Sequence, residues 1–379
     1  MLWKVNDDHA SDCLDSLAEE FGISEILSKL LALRGIKNKE EAESFLKPSL
    51  KSLSDPFEVS YLKEGVEYLS QAIDQKASIF IFGDYDVDGI SSIVQMVSIL
   101  REYGLDPSYC VPYRLSEGYG LTREAIDRGL KNSRPDLMIV VDCGTNSKES
   151  IDYLKSLGIF VLIIDHHQLT TELSENALLI NPHVNDVGQE NKGWFNLSAA
   201  GLVFKFLHGL IKYRRGFDDP IANEIKLSQI IDLAGLGTIA DLVPLQGENR
   251  ILAKYALHHL SNNKRKGLLA LLKESRVSNL ATLSSSDVSF RLAPRINASG
   301  RLSDGALPVE LLLTDEVEFA QKSAKQLGDL NNERQTIQKK MVEAAELQIS
   351  DFETDQLAYI LHDKEWHPGV VGIVASRIS

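Results

Sequence analysis

Between residues 66 and 245 the chain alternates two hydrophobic patterns. One is a short unbroken apolar run, seen at Ile79–Phe82, Leu137–Val141, Ile159–Ile164 and Ala177–Ile180, with a shorter stretch at Ser108–Tyr113. Such runs are too short for buried helices and rich in Ile, Val and Phe. They predict strands covered on both faces, as in a parallel sheet. The other pattern is helical: Ile90, Ile93, Val94, Val97 and Leu100 recur every three or four residues. Further helices are predicted from Thr122 and from about Ser147 to Leu157. This alternation predicts an α/β fold built on a doubly wound, mainly parallel sheet.

Outside that span the rhythm changes. Residues 1–65 predict a helical N-terminal region, with a turn at Asp55-Pro56. Leu227–Ala240 predicts a long apolar helix that stops just before Asp241. Residues 246–309 predict a helical extension containing an Arg-bearing segment. Residues 310–350 predict one long charged helix, with Leu327, Leu330, Ile337 and Met341 as its apolar positions, connecting two domains. From 351 to 379, a strand at Leu357–Leu361 and a Gly-rich turn from Trp366 to Gly372 that enters a helix predict the start of a second α/β domain. That domain is expected to be incomplete.

A length of 379 residues leaves room for two or three domains. The formal net charge of −14 argues against a general basic coat for nucleic acid or anionic lipid. A local basic groove or bound divalent cations can still supply positive charge where it matters. Cys13, Cys110 and Cys143 show neither metal-ligand spacing nor a disulfide framework, which predicts a reducing, cytoplasmic setting. Met1 to Asp12 lacks a signal pattern, and no apolar run approaches the roughly 20 residues of a bilayer span. The expectation is a soluble protein without a membrane partner.

The chemistry gathers at the predicted strand ends. The first run leads into Gly83-Asp84-Tyr85-Asp86-Val87-Asp88-Gly89, with three aspartates at alternate positions. In an extended chain these share a face, neighbours about 7 Å apart. So gathered, they should take up protons or hold a cation. Other elements add Asp142, His166, His167 and Asp241, and in open α/β sheets ligands bind at the carboxyl ends of strands. Carboxylates with imidazole suit Mn²⁺ or Mg²⁺. Asp84, Asp86, Asp88, Asp142, His166, His167 and Asp241 include too many negative groups for one ion. They fit two, about 3.5–4 Å apart, with one bridging carboxylate. The implied reaction is phosphoester hydrolysis by a metal-activated hydroxide. Singly, each residue has a plainer account: an Asp-x-Asp can be a solvated turn, Asp142 a helix N-cap, either histidine an ordinary packed side chain. A phosphodiester also calls for cationic forks, and Arg114, Arg291, Arg295 and Arg301 are the candidates, each with a surface salt bridge as its plainer account. Lys212, Arg214 and Arg215, and the run Lys264-Arg265-Lys266, read as solvated faces.

Together these motifs resemble the DHH phosphoesterases: Asp84 to Gly89, the strand-end Asp142, Asp165-His166-His167, and Gly237 to Asp241. Val111-Pro112-Tyr113-Arg114 with Glu117-Gly118-Tyr119-Gly120, Pro294 to Arg301, and Trp366 to Arg377 are similar to that family's branch of single-strand-specific 5′→3′ DNA exonucleases. The resemblance covers essentially the whole chain. It implies Asp86, Asp88, His166 and Asp241 as metal ligands, and Asp142 as the bridging carboxylate. Asp84 stands near the place where smaller relatives carry a ligand histidine. His167 and Asp142 are implied as catalytic, with His167 facing the phosphate, and Arg114 as holding a 5′ phosphate. Further implications are single-stranded DNA as substrate, two Mn²⁺ or Mg²⁺ ions, a single-strand-binding protein and a helicase as partners, and a role in DNA repair and recombination. Residues 66–245 would be the DHH domain, and residues 351–379 the start of a DHHA1 domain. Proteins of that branch continue through later Gly-Ser-x-Arg-Ser and Gly-Gly-His motifs into an oligonucleotide-binding domain, so C-terminal truncation is expected. The rivals are a phosphodiesterase of short oligonucleotides or cyclic dinucleotides, a pyrophosphatase, and a non-catalytic replication scaffold. A scaffold should have lost ligands, and none is missing. A dinucleotide-dependent oxidoreductase would need Gly-rich chemistry where this chain has aspartates.

Overall fold

The computed structural model describes residues 18–36, 38–114, 116–131, 134–262, 265–277, 279–303, 305–350 and 357–379. The start of the N-terminal region with Cys13, together with Leu115 and Lys264, lies outside them. At the centre is a five-stranded sheet: β1 (Ile79–Gly83), β2 (Ser108–Cys110), β3 (Leu137–Val141), β4 (Phe160–Ile164) and β5 (Leu178–Ile180), in the order β2-β1-β3-β4-β5. Every pairing is parallel. The apolar runs are buried on both faces because successive side chains point opposite ways. Ile79, Ile81, Ile139, Val141, Leu162 and Ile164 join one core, with helices Leu62–Asp74, Val87–Glu102 and Ala199–Arg215. Phe80, Phe82, Met138, Val140, Val161 and Ile163 join the other, with helices Arg123–Gly129 and Lys148–Ser156.

The register sets the strand ends level. Gly83 lies opposite Val141, Val141 opposite Ile164, and Ile164 opposite Ile180. The next residues, Asp84, Asp142, Asp165 and Asn181, therefore emerge along one edge. From β1 the chain goes to β2 on one side and to β3 on the other, so the strand order reverses between β1 and β3. In open α/β sheets that reversal marks the ligand crevice.

Around this sheet several expectations change. Asp55-Pro56 opens a short 3₁₀ turn, Pro56–Glu58, with Asp55 capping the Phe57 N–H. The apolar stretch at 227–240 breaks at Ile230 into a 3₁₀ turn and helix Ile231–Ala240. The predicted helix over 310–350 is two, Ala306–Leu313 and Val317–Ser350, because Thr314 turns extended and its hydroxyl accepts the Glu316 N–H. Leu357–Leu361 forms no strand: among the described residues no strand pairs with it, and Leu357 and Ile360 stand fully or almost fully exposed. Arg214 and Arg265 are not solvated. Arg214 pairs with Asp74 and Asp219, and Arg265 with Asp232, each with its side chain mostly covered.

The long helix Val317–Ser350 packs on helices Lys266–Glu274 and Ala293–Leu302, and again on the terminal helix Val371–Ile378, where Met341, Ala345 and Val374 make a small separate core. Among the described residues no helix is long and apolar enough to cross a membrane.

Candidate metal centre

The carboxylates converge because three unlike elements end at one place. Asp84 follows β1 directly and is 1% exposed. Asp86 caps helix Val87–Glu102, its Oδ1 accepting the N–H groups of Asp88 and Gly89 at 2.9 and 3.1 Å. Asp88, in that helix's first turn, accepts from the N–H groups of Ala199 (2.7 Å) and Ala200 (2.9 Å) at the start of helix Ala199–Arg215, where the helix dipole favours negative charge. Asp142 follows β3 with φ of 60°, a left-handed conformation that aspartate tolerates better than most residues. Asp241 caps the end of helix Ile231–Ala240. That helix comes close only because Gly237 has no side chain: a Cβ there would sit 2.5 Å from Asp88 Oδ1.

His166 and His167, next to one another, are held in opposite states. The His166 side chain is 12% exposed, and its buried Nε2 has no hydrogen-bond partner among the described residues. That nitrogen lies 3.4 Å from Asp142, 3.7 Å from Asp88 and 3.7 Å from Asp241. Burial lowers its pKa to about 4, so at neutral pH the imidazole is neutral and its lone pair is available. His167 Nδ1 is 2.7 Å from Asp165 Oδ1, and this hydrogen bond raises its pKa to about 9. It is a cation at neutral pH. Burial alone would push Asp165 up, yet its bonds to His167 and Thr145 hold it well below the usual carboxylate range. The same Asp165 oxygen takes the backbone N–H of His166 and of His167. Asn181 fixes the stretch further, donating to the His167 carbonyl and to Thr145.

His167 offsets only part of the acids' charge. Burial first, then Asp86, raises Asp84 to about 7, and the same causes raise Asp241 to about 7. Asp88 and Asp142 are pushed well above their usual range, by burial and then by their acidic neighbours. Buried carboxylates in this state either hold protons or await cations. Their donor atoms group as cations would need. Asp84, Asp86 and Asp142 form one cluster, Asp88, His166 and Asp241 another, and Asp142, His166 and His167 a third, each with its atoms within 4.8 Å of one another. Asp142 belongs to two of the three. Together with the orphaned Nε2 of His166, this oxygen-rich set fits two hard divalent ions.

Beside the acids stands a basic wall. The Arg114 guanidinium lies over the Tyr85 ring, 5.2 Å from its centroid. Tyr85 also packs edge-on against Tyr119, whose hydroxyl comes near Asp84. Arg301 donates to the Gly369 carbonyl at 2.9 Å, and its electrostatic neighbours are Arg114, Tyr85 and Asp86. Its helix reaches Tyr85 through Gly300, where a Cβ would meet that ring at 2.4 Å. Arg128 pairs with Glu117 at 2.5 Å, donates to the Val111 carbonyl and stacks over Tyr113, which clamps the loop carrying Arg114. Arg295 does not join this wall. Six residues from Arg301 on one helix, it turns to another flank, where its charge neighbours are Glu274, Arg276 and Arg291. Arg291 pairs with Asp287.

The sequence reading missed Tyr85 and Tyr119 as neighbours of the acids, and the anchoring part of Asp165. Asp165 alone left a signal, since it stands between an apolar run and two histidines.

A family profile described as the N-terminal domain of the DHH family matches residues 78–238. Over 378 residues the chain is 34% identical to the single-stranded-DNA-specific exonuclease RecJ of Bacillus subtilis, covering 100% of this chain and 46% of that protein. A crystal structure of RecJ from Thermus thermophilus in complex with Mn²⁺ superposes with a TM-score of 0.80 at 30% identity, covering 98% of this chain and 51% of that one. Another, of exonuclease RecJ bound to manganese, gives 0.73 at 33% identity, covering 87% and 79%. The chain thus spans about half the length of the first two relatives.

Proposed function

The chain belongs to the DHH phosphoesterases, in the branch of the RecJ exonucleases, and we propose that it hydrolyses the phosphodiester bonds of single-stranded DNA from the 5′ end with two Mn²⁺ or Mg²⁺ ions. The observation that carries the reading is the position of Asp142, which groups with Asp84 and Asp86 and lies 3.4 Å from the His166 nitrogen of the Asp88, His166 and Asp241 group, a nitrogen buried among carboxylates. In this reading Asp84, Asp86 and Asp142 would hold one ion, and Asp88, His166 and Asp241 the other, with Asp142 within reach of both. When bound, the ions supply the positive charge that the acids lack, polarise a phosphoryl oxygen and acidify a water. His167, kept protonated by Asp165, offers an N–H to a phosphate oxygen. Arg114, stacked on Tyr85, and Arg301 receive the 5′-terminal phosphate, which carries more charge than an internal diester and gains more from a bidentate fork.

Such an enzyme needs strands already separated. It would act downstream of a helicase, on strands that a single-strand-binding protein also covers, in cytoplasmic DNA repair and recombination.

The test is digestion of end-labelled single- and double-stranded DNA and RNA with Mn²⁺, Mg²⁺ or EDTA. The expected result is loss of nucleotides from the 5′ end of single-stranded DNA alone, abolished by EDTA. Degradation that ignores strandedness, or that proceeds without metal, would overturn the reading.

A further inference from the structure

Arg114 and Arg301 do not exhaust the basic wall. Arg334, on helix Val317–Ser350, is braced at both ends of its guanidinium: Nη1 donates to Gln338 Oε1 at 2.6 Å and Nη2 to Asn331 Oδ1 at 2.7 Å. Both braces are buried, Asn331 2% and Gln338 8% exposed. They sit one turn to either side on the same helix face, which fixes the fork in one orientation. Helix Ala293–Leu302, carrying Arg301, packs on this long helix.

The braces are neutral. They satisfy hydrogen bonds and cancel no charge. Among the described residues, no carboxylate lies within ion-pair distance of Arg114, Arg301 or Arg334. They lie near enough to act on one another: burial and then Arg114 lower the pKa of Arg301, against Tyr85 and Asp86, while burial and then Arg301 lower that of Arg334. All three are half-buried, and partly desolvated cations without a countercharge are costly unless an anion completes them. A guanidinium has five N–H donors, and the two braces engage two of Arg334's, leaving three for an incoming group.

We propose that Arg334 is a second phosphate subsite, continuing a track in which Arg114 and Arg301 take the terminal phosphate and Arg334 a backbone phosphate farther along the same strand. This rests on the single-strand reading above. Three successive guanidiniums suit a polyanion, whereas a lone phosphate would engage only the end of the row. The fixed fork suits a phosphate's paired oxygens.

The test measures binding of 5′-phosphorylated oligothymidylate and of thymidine 5′-monophosphate across a salt series with Mn²⁺ present. An Asp142→Asn background prevents turnover, and Arg334, Arg334→Gln and Arg334→Lys are compared in it. Arg334→Gln keeps amide hydrogen bonds to Asn331 and Gln338 within reach, which guards the fold. For the oligonucleotide it should weaken binding about tenfold and reduce the slope of log K against log salt by about 0.7. Mononucleotide binding should stay unchanged. Arg334→Lys should keep the slope. An unchanged oligonucleotide slope in Arg334→Gln, or an equal loss on the mononucleotide, overturns the track. If the parent binds no single strand at all, the exonuclease reading falls instead.

Discussion

The molecule buries charge in two places and treats them in opposite ways. Lys205 and Glu248 are sealed between helices Ala199–Arg215 and Gly247–Ser261, with side chains 3% and 6% exposed. There the Lys205 ammonium donates to both Glu248 oxygens at 2.9 Å and to the Ser54 hydroxyl, whose O–H and N–H also reach Glu248. Every charge has its opposite. The pair stitches the segment before the sheet to the helices behind it. In the acidic centre, Asp84, Asp88 and Asp142 are buried as deeply, yet the nearby imidazole of His166 is neutral and the cationic His167 faces more carboxylates than it can balance. Burial alone does not separate a scaffold from a site. Completeness does: an ion pair that closes on itself leaves nothing for a ligand, whereas uncompensated charge held in place by the fold is maintained for one.

Three experiments can break or sharpen that contrast. The largest effect is expected from Asp142→Asn. Loss of a partner one step removed from a metal commonly costs 10–100-fold, so loss of the shared ligand should cost more than about a hundredfold in hydrolysis. The same variant should unfold at a higher temperature than wild type in EDTA at pH 8, since it deletes a buried, unpaired charge. Inactivation together with loss of metal-free stability would make Asp142 a structural residue.

Glu248→Ala should do the reverse. Removing one partner of a buried pair typically costs about 3–5 kcal/mol, read as denaturant unfolding, while activity per folded molecule stays near wild type. A variant as stable as wild type would mean that the pair is dispensable and the contrast is false.

The smallest effect is a pH dependence of the metal-free protein. Asp84 and Asp241 have folded pKa values of about 7, against roughly 3.9 for an unfolded aspartate. Between those values the native state binds more protons than the unfolded one. Their contribution to stability is therefore full below about pH 4, declines as pH rises, and is lost above about 7, by on the order of a few kcal/mol. Added Mn²⁺ should flatten the curve. Asp165, whose pKa is depressed, contributes in the opposite sense, above its unfolded value and lost in acid. Metal-free stability that rises steadily from pH 4 to 7 would contradict unpaired acids at the centre.

The two places also differ in how they appear in the sequence. The acids were legible because each ends an apolar element: Asp84 after Ile79–Phe82, Asp142 after Leu137–Val141, Asp241 after a helix. Nothing marks Lys205 or Glu248. A lysine within Phe204-Lys205-Phe206 and a glutamate after Gly247 look ordinary until the helices are packed together. Arg295 and Arg301 looked alike as neighbours in one segment, but six helical residues turn them to different flanks. Leu357–Leu361 had the composition of a strand and no ladder to join.

The sequence by itself determined the strands of the central sheet, their parallel pairing and the acids at their ends. Those follow from local periodicity and from the short reach of an apolar run, which needs no knowledge of what lies opposite. Tertiary structure alone decided which charges remain uncompensated: that Asp142 is shared between two clusters, that His166 is neutral while His167 is charged, and that Arg114 and Arg301 come near one another. Each depends on atoms brought within a few ångströms from distant parts of the chain, and the pKa of a buried group is set by those neighbours and the loss of water, not by its place in the sequence.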